Sequence, residues 1–119
     1  MTIRVDVKVR VRHGDDIAMG PGKADLLEAI AATGSISGAA RSMNMSYRRA
    51  WLLVDVMNRT FRDPLVVSAA GGAQGGGASV TDAGRAVLAA FRTMEAASAA
   101  AVNAHVANLV PFLRTDPAA

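Results

Sequence analysis

No cysteine occurs among the 119 residues, which excludes disulfide scaffolds and thiolate metal sites. Aromatic side chains are scarce, with three Phe, one Tyr and one Trp. The core must therefore come from Leu, Val, Met and Ala, with helices approaching closely. No apolar run nears the ~20 residues that cross a bilayer. The N-terminus carries a charge at every second position from Arg4 to Arg12, unlike a secretory signal. A cytoplasmic protein with no membrane partner is expected. Neither His13 nor His105 has a metal-spaced neighbour, and the acids are scattered rather than paired. No metal, no cofactor and no enzymatic activity are expected, and His105 reads as a packing or interface residue.

The length is that of a single domain, 1–119, with one modest core. Residues 3–12, IRVDVKVRVR, alternate strictly and predict a half-buried strand. With a turn at 13–16 and a short return at 17–19 they make a β-hairpin over 1–19. Three helices follow within 23–61: about 23–33, stopped by Gly34, then 37–43, then 47–61. Asn44–Met45 supplies the tight turn between the last two, and Ser46 is placed as an N-cap. A strand pair over 65–80 surrounds the glycine-rich run GGAQGGG, and a long helix is expected over 82–110, capped by Thr81. The glycine run lacks the Lys-Ser/Thr pair and following helix of a phosphate-binding loop. A hairpin tip is the better account.

The net charge is +3, and its distribution matters more than its size. Five arginines stand against one acid, Asp55, between Arg41 and Arg62, the footprint of a phosphate-binding face that includes Arg59 and Arg62. On a helical wheel Ala50, Val54, Met57 and Phe61 form the buried stripe, and Arg48, Asp55 and Arg59 lie opposite. Ser46, Tyr47, Arg48 and Arg49 then project from the first turn, where a recognition helix meets base edges. The paired arginines suit guanine or phosphate. The competing reading leaves them merely solvated, with Tyr47 and Trp51 finishing the core; Trp51 is assigned mainly to packing on either reading. At the glycine tip, Gln74 and the N–H groups of Gly75, Gly76 and Gly77 suit a minor groove or phosphates.

GSISGAARSMNMSYRRAWLLVDVMNRTF, then PLV, then GGAQGGGASVTDAGRAVL, resembles the DNA-binding domain of the ModE-type, molybdate-responsive transcriptional regulators. The resemblance runs from about Ile3 to Ala107. It implies a mainly α fold with small β: a winged helix-turn-helix, related to that of LysR-type regulators, with an N-terminal β-hairpin and a long C-terminal dimerisation helix. It implies that Ser46, Tyr47, Arg48 and Arg49 read double-stranded DNA, that Ser35 and Ser37 touch its backbone, and that 71–79 is the wing. It also implies a homodimer held by the hairpin region and the long helix, which would cover the valine face of 3–11 and the alanine stretch at 96–101. Regulators of this kind carry C-terminal molybdate-binding repeats with a Ser-Ala-Arg-Asn-like motif. The sequence to Ala119 has no such segment, and molybdate binding by this polypeptide is not expected. The expected function is a sequence-specific regulator of molybdenum-related genes on a pseudo-palindromic operator. The alternative is an interaction module that pairs with a full-length regulator and modulates it.

Overall fold

Two left-handed backbone positions organise the helical half of the chain. Gly34 (φ 76°) closes one helix, and Asn44 (φ 57°) turns the chain into another. Both lie where bulky side chains are strained and where glycine and asparagine are at ease. The computed structural model describes residues 2–72 and 75–114, and of residues 69–72 and 75–76 the backbone alone. The order is β1 (Val11–His13), β2 (Asp16–Met19), α1 (Pro21–Thr33), α2 (Ile36–Ser42), α3 (Tyr47–Thr60), β3 (Val66–Gly72), β4 (Gly75–Val80) and α4 (Asp82–Asn103). Two short 3-10 turns follow, at Val106–Asn108 and Val110–Phe112. The fold is mainly α, with two small antiparallel sheets, β1-β2 and β3-β4.

The helices pack through a compact apolar cluster. Leu26, Leu27 and Ile30 of α1, Ala39 and Ala40 of α2, and Ala50 and Met57 of α3 are buried beside Leu65 and Phe91. The small side chains of α2 let α1 and α3 close over it. Each turn is secured by local chemistry. The Gly34 N–H donates to the Ile30 carbonyl (2.8 Å), the Gly38 N–H to Ser35 Oγ (2.8 Å), and the Arg49 N–H to Ser46 Oγ (3.1 Å). Gly38 serves this cap in a second way, because a Cβ there would stand 2.7 Å from Ser35 Oγ.

Asn58 ties α3 to the wing. Its amide donates to the Val66 carbonyl (2.9 Å), and its Oδ1 accepts from the N–H groups of Leu65 (2.8 Å) and Val66 (3.2 Å). On the second strand of the wing the Ala78 N–H donates to the Gly34 carbonyl (2.8 Å). Arg92 of α4 bonds Asp25 (2.7 Å) and Glu28 (2.6 Å) of α1, and also Glu95 (2.8 Å). Glu95, Asp25 and Glu28 together raise the guanidinium's pKa above its ordinary value.

Four features differ from the sequence expectation. Only Val11 and Arg12 of the 3–12 run pair in a strand, while Ile3 and Val5 stay exposed. Alternation gives a strand one good face, but a strand also needs a partner backbone, and the four-residue β2 reaches no further. The strands reach further into the glycine run than expected, Ala69 pairing with Gly77 and Gly72 with Gly75. Trp51, read mainly as a packing residue, is 47% exposed. Finally, α4 ends at Asn103 rather than 110. Residues 104–110 are nearly all exposed, so little packing holds them in the α-helix.

Candidate nucleic-acid interface

An N-capped helix with a buried underside offers its first turn to whatever lies beyond it. Ala50, Val54 and Met57 anchor α3 from below. Ser46, Tyr47, Arg48 and Arg49 are all exposed, Tyr47 at 56%. Among the described residues neither Arg48 nor Arg49 is paired with a carboxylate, and no acid stands in the first turn of α3. The positive end of the helix dipole adds to their charge. Ser46 is already engaged as the cap, which leaves its hydroxyl proton available.

Two grooves flank this turn. One, of about 350 Å³, lies between α2, α3 and the wing and is lined by Ile36, Ser37, Tyr47, Ser68, Gly77 and Ala78. It brings together Ser37, Tyr47 and Gly77. The other, of about 290 Å³, is lined by Ser46, Arg48, Arg49, Leu52, Leu53 and Val56. Leu52 is 43% exposed and adjoins the arginines. Charge alone does not single it out in the sequence, although its wheel position beside Arg48 carried the signal.

The remaining expected site residues are more dispersed. Ser35 is half-buried, and its hydroxyl is committed to the cap of α2 and lies 3.5 Å from Ser37 Oγ. Arg59 shares the outward face of α3 but sits about 18 Å along the axis from Tyr47, at ~1.5 Å per residue, and bonds Asp55 at 3.0 Å. Arg62 follows the helix and pairs with Asp63 at 3.3 Å. Gly75, Gly76 and Gly77 lie in β4, and Gln74 falls outside the described residues. Among the described residues no group of three or more His, Asp or Glu is arranged to hold a metal, and no helix is long and apolar enough to cross a membrane.

A small-residue helix, a left-handed turn, a capped and cationic second helix and a two-stranded hairpin beside it define a winged helix-turn-helix protein. Residues 23–85 match the family of bacterial regulatory helix-turn-helix proteins described as the lysR family. The match covers more than half of the chain, which belongs to that family. The DNA-binding transcriptional dual regulator ModE of Escherichia coli strain K12 is 38% identical over 86 residues, 72% of this chain and 33% of that one. The molybdenum transport protein ModE of Azotobacter vinelandii is 50% identical over 70 residues, 59% and 26% of the two chains. The molybdenum-pterin-binding protein MopA of Rhodobacter capsulatus is 48% identical over 79 residues, 66% and 30%. The chain thus spans about a third or less of these relatives. Among solved structures, the full-length LTTR LysG from Corynebacterium glutamicum with bound effector Arg shares the fold. Its TM-score is 0.54 and its identity 23%, over 80% of this chain and 30% of that one.

Proposed function

We propose that the protein is a DNA-binding transcriptional regulator of the ModE type, acting as a homodimer on a pseudo-palindromic operator of molybdenum-related genes. The observation that carries this reading is the exposed first turn of α3, where two arginines without carboxylate partners among the described residues stand beside an exposed tyrosine on a helix locked from beneath. Tyr47, Arg48 and Arg49 enter the major groove, with Ser35 and Ser37 near the backbone and the 71–79 wing beside it. Arg59 and Arg62 neutralise phosphates further along. The ModE relatives, identical at 38% and 50% over this part of their sequence, supply the regulatory context.

Exposed apolar side chains support the dimer. Met94, Val102, Leu109 and Phe112 are exposed, Phe112 at 84%. An apolar groove of about 180 Å³ opens between Val11, Met19, Phe61, Val87, Phe91 and Met94. A second copy across a two-fold axis would cover both, and α4, extending beyond its last buried residue Phe91, has the reach for it.

Repeated selection from a randomised duplex pool tests the proposal. The expected consensus has two inverted half-sites about one helical turn (~34 Å) or a multiple apart, as two-fold symmetry requires. Recovery of no sequence above the starting pool, from a protein that light scattering shows to be dimeric, would instead favour the interaction module.

A further inference from the structure

The two shoulders of α3 face different structures. On the Tyr47 side stands the wing, with Ser68 and Gly77 across the groove. Arg49, separated from Tyr47 by about 160° around the helix axis at ~100° per residue, faces the N-terminal segment and the start of α1. There a cleft of about 330 Å³ is lined by Lys8, Arg10, Lys23 and Arg49 around the Gly20–Gly22 backbone. Among the described residues no carboxylate lines it. The acid that acts on Lys23 is Asp16, and burial nevertheless pulls the ammonium below its ordinary pKa. Lys23 also donates to the Ile17 carbonyl, which fixes it at the cleft. Lys8 and Arg10 are exposed and unpaired among the described residues.

A helix seated in a major groove ~12 Å wide has a sugar–phosphate strand along each shoulder. The wing addresses one of those strands. We propose that Lys8, Arg10 and Lys23, in the cleft that Arg49 borders from the groove side, hold backbone phosphates of the other, making the N-terminal segment a second, sequence-independent clamp on the duplex. This inference rests on the DNA-binding reading above. It adds interactions with phosphodiester oxygens, for which clustered cations suffice and base identity is irrelevant. The amino end of α1, which opens here with no acidic residue and no side-chain cap in its first turn, strengthens the same field.

The test compares wild type with the Lys8→Ala/Arg10→Ala double variant on the selected duplex and on a scrambled one, across a salt series. Both residues lie outside regular secondary structure, so melting should be unchanged. For every phosphate that is no longer neutralised, the plot of log K against log salt becomes shallower by about 0.9. The double variant should therefore be shallower by about 2 to 4 per dimer, with an unchanged ratio between the two duplexes. A charge-matched control, Arg4→Ala/Arg114→Ala, lies outside the cleft and should shift the slope by less than half as much. If the double variant keeps the wild-type slope, or the control matches it, the cleft is not a phosphate site. If the wild type binds no duplex at all, the DNA-binding reading itself is wrong.

Discussion

Arg48→Ala should lose most of its preference for the selected duplex over a scrambled one, while its affinity for the scrambled duplex stays within a few-fold of wild type. Arg48 stands opposite the buried stripe of α3, is exposed, and shares its groove with Arg49 and Leu52. A guanidinium in that position can engage guanine O6 and N7 together, which discriminates by roughly 1–3 kcal/mol for each such pairing. With one pairing in each half-site, the loss in a dimer becomes about 30-fold or more. Arg62→Ala should behave differently. Its guanidinium lies beyond the C-terminal end of α3 and pairs with Asp63, so it belongs with phosphates. Both duplexes should weaken alike, and the salt slope should fall by about 1 for each phosphate released. Fluorescence anisotropy at two salt concentrations separates the two patterns. Equal losses for both variants on both duplexes would remove Arg48 from base reading.

The second large effect concerns stability. Gly84→Ala should lower the melting temperature by about 10 °C, although alanine favours an ordinary helix position by about 1 kcal/mol. A Cβ on Gly84 would run into the Leu65 carbonyl oxygen and stand 2.7 Å from Val80 Cγ1. The Leu65 carbonyl is backbone and cannot swing aside, because it already accepts the Thr81 N–H at 2.9 Å. Thr81 also donates its hydroxyl to the Pro64 carbonyl (2.7 Å) and accepts the Gly84 N–H (2.9 Å). Backing α4 away from the wing would break this clamp. Overpacking of this kind costs typically about 1–3 kcal/mol, and a loss of ~2 kcal/mol corresponds to about 10 °C in a domain of this size. Gly22→Ala supplies the contrast, since a Cβ there meets nothing within 4 Å. It should leave melting unchanged or slightly raised. Equal melting of the two variants would contradict this packing account of Thr81 and Gly84.

The caps are legible because capping is local. As caps, Ser46, Thr81, Gly34 and Asn44 act on groups within three or four residues of themselves, whereas the bonds of Thr81 to Pro64 and Leu65 depend on the fold. The apolar spacing of α1 and α3 likewise located Leu26, Leu27, Ile30, Ala50 and Met57. What the sequence hid depends on partners distant along the chain. The valines at 5 and 7 alternate as well as Val11 does, yet only Val11 has a strand opposite it. Trp51 sits at the edge of the buried stripe. Whether such an edge is covered is decided by its neighbours, and here it borders an open polar groove with Asp55, Asn58 and Ser68. Asn58 reads as an ordinary helix polar residue until β3 arrives beside it. Within the candidate interface, the sequence grouped Arg48 and Arg49 with Arg59 and Arg62 by charge alone. The length of α3 separates the two pairs, and it is the first pair that has no carboxylate partner among the described residues. Lys8, Arg10 and Lys23 escaped notice because they converge on Arg49 only once the hairpin folds against α3.

The chain's single tryptophan allows the most direct measurement. Trp51 is about one turn beyond Tyr47 on α3 and 47% exposed, close enough to report a duplex seated on that end of the helix. Titrating the selected duplex should change Trp51 emission, saturating at one duplex per dimer, with no change from the scrambled duplex at the same concentrations. Binding detected by anisotropy of the labelled duplex, with Trp51 emission unmoved throughout, would contradict a recognition surface at the first turn of α3.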